Sequence, residues 1–188
     1  MSDLYRSFEE LRSREPPDAY RIVSIDRSSA VTIIAPHGGK IEPGTSEIAR
    51  ELAAESCNLY LFEGLRQRSG ELHVTSHLFD EPRCLELIGK SDVVIAIHGR
   101  ANKDDQETIY LGGLDQKRIN DIAANLTMAD FRSQTEGHEF PAKMSNNICN
   151  REVRGNGVQL ELPLHLRKEL AQMPAKMNLF IQAIRGAI

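Results

Sequence analysis

Apolar and polar positions along the chain fall into two alternating rhythms. Leu4, Phe8 and Leu11 recur at helical spacing until Pro16 and Pro17, which cannot continue a helix, so residues 1 to 18 read as an N-terminal helical arm. From Tyr20 onward the pattern shortens into β-branched runs: RIVSI at 21 to 25, VTIIA at 31 to 35, NLYLF at 58 to 62, LHVTS at 72 to 76 and DVVIAIH at 92 to 98. Helical windows separate or follow them. TSEIARELAAE carries Ile48, Leu52 and Ala53 on one stripe behind Thr45 as the expected N-cap, and EPRCLELIG follows Asp80, another expected N-cap before a first-turn proline. LDQKRINDIAANL repeats the spacing with Leu114, Ile119, Ile122 and Leu126.

A later run, GVQLEL at 157 to 162, turns Val158, Leu160 and Leu162 to one face and Gln159 and Glu161 to the other. HLRKELAQ and MNLFIQAIRGAI close the chain as helices, while residues 130 to 156 carry the least pattern and read as a long loop system. Strands interleaved with helices predict an α/β fold: a mixed, mostly parallel sheet flanked by helices in one catalytic domain spanning residues 1 to 188.

Ligands of α/β sheets gather beyond the carboxyl ends of the strands, and three runs end there in polar residues. VTIIAP leads to His37, with Glu42 in the same glycine-rich loop, DVVIAI leads to His98, and GVQL leads to Glu161. Catalytic zinc typically takes three protein ligands, often two histidines and a glutamate, and keeps a fourth position open. His37, Glu42 and His98 would supply that set, the flexible Gly38, Gly39 and Gly44 letting the loop fold back. Glu161 has two readings. It is either the solvent-facing residue of an edge strand or the catalytic acid/base that carries a proton from water to the leaving amine. His73 shares a face with Thr75 and is a candidate to bind substrate, whereas Ser76, His77 and Asp80 lack the setting of a nucleophile triad. His138 and His165 read as surface residues.

Composition narrows the classes. A net charge of -4 and a pI near 5.9 give no global reason to bind nucleic acid or an anionic membrane. No block is apolar for the roughly 18 residues of a membrane span, and the polar start carries no secretory signal, so a cytoplasmic monomer is expected. Three scattered cysteines, Cys57, Cys84 and Cys149, read as reduced core residues.

The stretches APHGGKIEPGTSE, NLYLFEG, LHVTSHLFDEP, AIHG, LGGL and NICNREVRGNGVQLEL resemble the poly-gamma-glutamate hydrolase family of bacteriophages and bacilli, in the family's order. The resemblance implies a zinc enzyme with a metallocarboxypeptidase-like fold that cleaves gamma-glutamyl bonds, with His37, Glu42 and His98 as metal ligands and Glu161 as acid/base. It departs at Gly38, where the family pattern has alanine, and in the order of Asn150 and Arg151 relative to His98 when set against carboxypeptidases. If the chain derives from a phage, host lysis would release it.

An anionic polyglutamate substrate requires cations, and guanidinium matches carboxylate best. Arg151 beside Asn150 is the first candidate, with Arg154, Arg100 and Lys103 in flanking loops. An acidic enzyme on a polyanion also implies salt-dependent activity. Two other classes stand beside this reading: a zinc amidase acting on a cell-wall or acyl-amino-acid amide, and a non-catalytic phage replication accessory protein.

Overall fold

The computed structural model describes residues 3–103 and 105–188; Met1 and Ser2 of the expected arm, and Asp104, lie outside them. Seven strands form one sheet: β1 (Tyr20–Ile25), β2 (Val31–Gly39), β3 (Asn58–Gly64), β4 (Val93–Arg100), β5 (Ile109–Gly113), β6 (Ser133–Gln134) and β7 (Val158–Pro163). Their order is β1-β3-β2-β4-β7-β5-β6, with β1 against β3 and β5 against β7 antiparallel and the other pairs parallel. The fold is therefore the expected mixed, mostly parallel sheet flanked by helices. β3 and β7 are buried along their whole lengths, although β7 alternates apolar residues with Gln159 and Glu161.

Two cores sandwich the sheet. On one face Ile33, Leu61, Ile95, Ile97 and Leu160 pack beneath α2 (Thr45–Ala53), α4 (Gln116–Met128), α5 (Leu164–Gln172) and α6 (Pro174–Arg185). On the other, Ile34, Tyr60, Phe62, Val94 and Ala96 meet α1 (Phe8–Arg14), α3 (Pro82–Ile88) and the buried loop residues Phe79, Ile148 and Cys149. The expected arm is part of this second core: Phe8 and Leu11 are buried, and the Phe8 ring stands edge-on to Phe62 at 6.0 Å. Of Leu4, Phe8 and Leu11, Leu4 alone is exposed. Among the described residues no helix is long and apolar enough to cross a membrane, and all three cysteines are buried and free.

Several local expectations change. LHVTS is not a strand; Leu72 ends a 3-10 turn (Ser69–Leu72), and Thr75 accepts the N–H groups of Leu78 and Phe79 in a tight bend. The N-cap of α2 is Gly44 in the left-handed region, so Thr45 is the first helical residue and its hydroxyl bonds the Glu42 carbonyl instead. Glu81 caps α3 through Cys84 N–H, because Asp80 is drawn away to the Phe8 N–H. Strand β5, unread in the pattern because it is five residues long and ends in Gly112-Gly113, closes the sheet beside β7. That position makes β7 an interior strand and removes the edge-strand reading of Glu161.

Candidate metal centre

The geometry of the site begins with an irregularity in β2. Its register against β3 shifts between Ala35 and Gly38, around Pro36, which has no N–H to donate. His37 thereby turns out of the alternation into the space beyond the sheet. The loop folds back as Glu42 N–H bonds the His37 carbonyl at 2.9 Å, and Gly39, at φ 62°, lies against Gly64 where a side chain would collide. The Glu42 carboxylate is brought beside the His37 ring, with Oε1 3.3 Å from Nδ1, and its Oε2 accepts the Gly99 N–H at 2.7 Å. Strand β4 supplies His98, whose Nδ1 lies 3.0 Å from His37 Nδ1 and 3.8 Å from Glu42 Oε2.

The outer nitrogens define the tautomers. His37 Nε2 stands 2.8 Å from the Val74 carbonyl, which can only accept, so a proton sits on Nε2 and Nδ1 is the nitrogen left to face Glu42 and His98. His98 Nε2 approaches Ser76 Oγ at 3.4 Å. Two Nδ1 atoms and a carboxylate thus face one point. A tetrahedral ion with ligand bonds of about 2.0–2.1 Å requires donors roughly 3.3 Å apart; the two Nδ1 atoms lie 3.0 Å apart, and each faces a different oxygen of the Glu42 carboxylate, at 3.3 and 3.8 Å. His73 adds a third imidazole. Its ring lies 3.9 Å from that of His37, its Nε2 is 3.9 Å from Glu42 Oε1, and His37, Glu42 and His73 offer ligand atoms all within 4.8 Å of one another. A possible metal-binding group is therefore present.

Electrostatics concentrate here. Burial opposes the Glu42 charge, yet His37 beside it, His98 and the Gly99 N–H prevail and lower its carboxyl to about 2. Burial, followed by the charge of His37, lowers His98 to about 3, whereas Glu42 outweighs burial and raises His37. The His73 imidazole is lowered, first by His37 and then by burial. Glu161 lies opposite His98 in the β4–β7 register, so the two side chains share one face of the sheet. Burial and then the Glu42 carboxylate push its pKa well up. Gln159 Nε2 donates to Glu161 Oε1 at 2.9 Å, its amide orientation set by Asn147, which donates to Gln159 Oε1 at 3.3 Å.

These residues line a cavity of about 550 Å³ that also exposes Lys103 and Lys143. A larger cavity of about 830 Å³ lies beside β5 and β6; it is edged by the Arg132–Glu107 and Lys176–Glu169 ion pairs and contains none of the expected site residues.

Of the ten residues singled out from sequence, seven meet at this cavity: His37, Glu42, His73, His98, Arg100, Lys103 and Glu161. Arg100 is buried, its guanidinium bonding the carbonyls of Ala101, Asp105 and Thr108 and lying 4.1 Å above the Tyr110 ring. The other three stand outside the lining. Asn150 accepts from Leu114 and Gly157 N–H and donates to the Ala142 and Met144 carbonyls, so its amide is spent on the scaffold. Arg151 bonds the Phe79 carbonyl. Exposed Arg154 pairs with Asp92, just before β4 and hence at the far end of the sheet from His98.

His138 is half-buried and stacked on Tyr110 at 4.9 Å, where a surface residue was expected; His165 is exposed. Sequence reasoning missed Gln159, Asn147, Asp3 and Arg167. Gln159 was signalled by its place two residues before Glu161 on the same face. Arg167 was signalled by its place among Leu166 and Leu170 on the buried stripe of α5, from which it bonds the Pro43, Leu162 and Arg100 carbonyls behind the loop.

Fold and site together define a class: an α/β protein with imidazole and carboxylate donors converging at the carboxyl ends of its strands, beside a buried acid. The chain belongs to the poly-gamma-glutamate hydrolase family, whose model it matches over residues 5–178. It is 43% identical to UPF0714 protein YndL of Bacillus subtilis (strain 168), over 89% of this chain and 67% of YndL. It is 42% identical to the SPbeta prophage-derived UPF0714 protein YoqZ of the same strain, over 90% of this chain and 62% of YoqZ. The chain thus spans under two thirds of YoqZ and about two thirds of YndL. A solved bacteriophage poly-gamma-glutamate hydrolase superposes with a TM-score of 0.94 at 28% identity, covering 99% of this chain and 96% of that one. YndL, solved in a zinc-free apo form, superposes with a TM-score of 0.89 at 36% identity, covering 99% and 97%.

Proposed function

We propose that the chain is a zinc-dependent hydrolase of gamma-glutamyl amide bonds in polyglutamate, with His37, Glu42 and His98 as the zinc ligands and Glu161 as acid/base. The observation that carries this reading is the facing pair of Nδ1 atoms 3.0 Å apart with the Glu42 carboxylate beside them, an imidazole and carboxylate donor set that suits a cation in place of the protons. Zinc, the ion named for the apo form of YndL, suits two imidazoles and a carboxylate and, when bound, supplies Lewis acidity at neutral pH.

The remaining steps belong to the protein. Glu161, oriented by Gln159 and raised in pKa, takes a proton from the attacking water and delivers it to the leaving nitrogen. A gamma-linked polymer carries a carboxylate beside every amide; Lys143 at the cavity mouth is placed to receive these groups, and Lys103 can do so by exchanging its ion pair with Glu139. His73 and Arg100 line the substrate side, Asn150 and Arg151 hold the surrounding loops, and Arg154 lies away from the site. Shortening of poly-gamma-glutamate by the purified chain, abolished by a chelator and restored by zinc, is the expected result. Intact polymer under zinc-replete conditions would overturn the substrate reading.

A further inference from the structure

The N-terminal segment reaches the cavity, although nothing in its composition singles it out. Asp3 Oδ1 lies 2.7 Å from His73 Nδ1, and Asp3 Oδ2 accepts the Thr75 N–H at 2.6 Å. The loop returns the interaction, since Asp80 Oδ1 accepts the Phe8 N–H at 2.6 Å. With one carboxylate oxygen held by backbone, the other has a fixed bearing on the imidazole. An ionised carboxylate only accepts, so His73 carries a proton on Nδ1. Its Nε2 is turned to the centre, 3.9 Å from Glu42 Oε1, and the ring is braced 3.9 Å from that of His37.

We propose that Asp3 is a positioning residue of the reaction: it holds His73 with a bare Nε2 at the cavity wall, ready to accept the N–H of the incoming amide, so that the N-terminal segment is part of the active site. Outer carboxylates that fix the tautomer of a metal-ligating imidazole are worth about 10–100-fold in activity or metal affinity, and an effect of the same order on activity is expected at His73. The proposal rests on the hydrolase reading for its kinetic consequence but not for its structural one.

Replacement of Asp3 by asparagine separates position from packing. In Asp3→Asn the amide oxygen can keep the Thr75 bond while its NH2 donates to His73 Nδ1, driving the imidazole proton to Nε2. Nitrogen NMR of the chelated full chain is expected to show His73 Nε2 changing from a lone-pair to a protonated shift, with Tm unaltered. In the zinc-loaded protein kcat is expected to fall about 10–100-fold at nearly constant KM. Asp3→Ala is expected to lose as much and Asp3→Glu to recover part, and Asp3→Asn in a His73→Gln background is expected to cost nothing more. Unchanged His73 shifts, or an equal loss in the His73→Gln background, would overturn the proposal. Because the shifts are read without metal or substrate, an incorrect substrate assignment would leave this test intact.

Discussion

The strand ends that carry His37, His98 and Glu161 and the loop from Asn147 to Gly157 both bury polar side chains, yet they dispose of their hydrogen bonds in opposite ways. At the strand ends each imidazole has its outer nitrogen turned to a protein partner while the inner nitrogen faces the cavity. In the loop, Asn150 and Glu152 close on backbone groups: Asn150 on four of them, and Glu152 on the N–H groups of Arg154, Gly155 and Asn156. Bonding capacity directed at open space distinguishes the site, and exhausted capacity distinguishes the scaffold.

The contrast predicts how the two regions fail. Glu161→Gln is expected to lower kcat roughly a thousandfold with zinc content and Tm preserved, because the group moves a proton and packs as well in its amide form. Loss of folding in that variant would place Glu161 with the scaffold. Asn150→Ala is expected to do the reverse. It strands the Gly157 N–H and the Ala142 carbonyl, while Leu114 N–H and the Met144 carbonyl keep backbone partners, costing about 2 kcal/mol in denaturant titration, and kcat/KM of the folded fraction stays within a few-fold of the parent.

A pH series sharpens the comparison further. Glu161 has a raised folded pKa, so the metal-free chain holds its full contribution below the ordinary carboxylate range and loses it as pH rises toward the folded value. Chelated Glu161→Gln is therefore expected to be more stable than the parent at pH 7 to 8, the gap closing near pH 4. Glu42, lowered to about 2, works in the opposite sense and weakens the chain only as pH falls below the ordinary carboxylate range. The smallest effect is reserved for Arg154→Ala. Removing an exposed pair with Asp92 is expected to change stability by less than about 0.5 kcal/mol and kcat/KM by less than about twofold; a tenfold KM increase would return Arg154 to the substrate.

Much of this arrangement was legible in the sequence where one residue meets one rule. Apolar strands stopping at His37, His98 and Glu161 disclosed the site because sheet geometry fixes where strand ends point, and period-two alternation put Glu161 on the face opposite Leu160. Interior placement of β7 was hidden, because it depends on β5 pairing across a separation of some fifty residues. The role of Asn150 was hidden for the same reason. A buried asparagine serves substrate or scaffold according to which loops surround it, and Leu114, Ala142 and Gly157 converge only in three dimensions. Asp80 shows the local version, an N-cap by pattern that a distant backbone N–H claims instead.

Zinc content tests the central assignment most directly. Metal analysis of the purified parent, His98→Ala and His73→Ala is expected to give about one zinc per chain in the parent and in His73→Ala and almost none in His98→Ala. Equal zinc in His98→Ala and the parent, or loss confined to His73→Ala, would contradict a centre built from His37, Glu42 and His98.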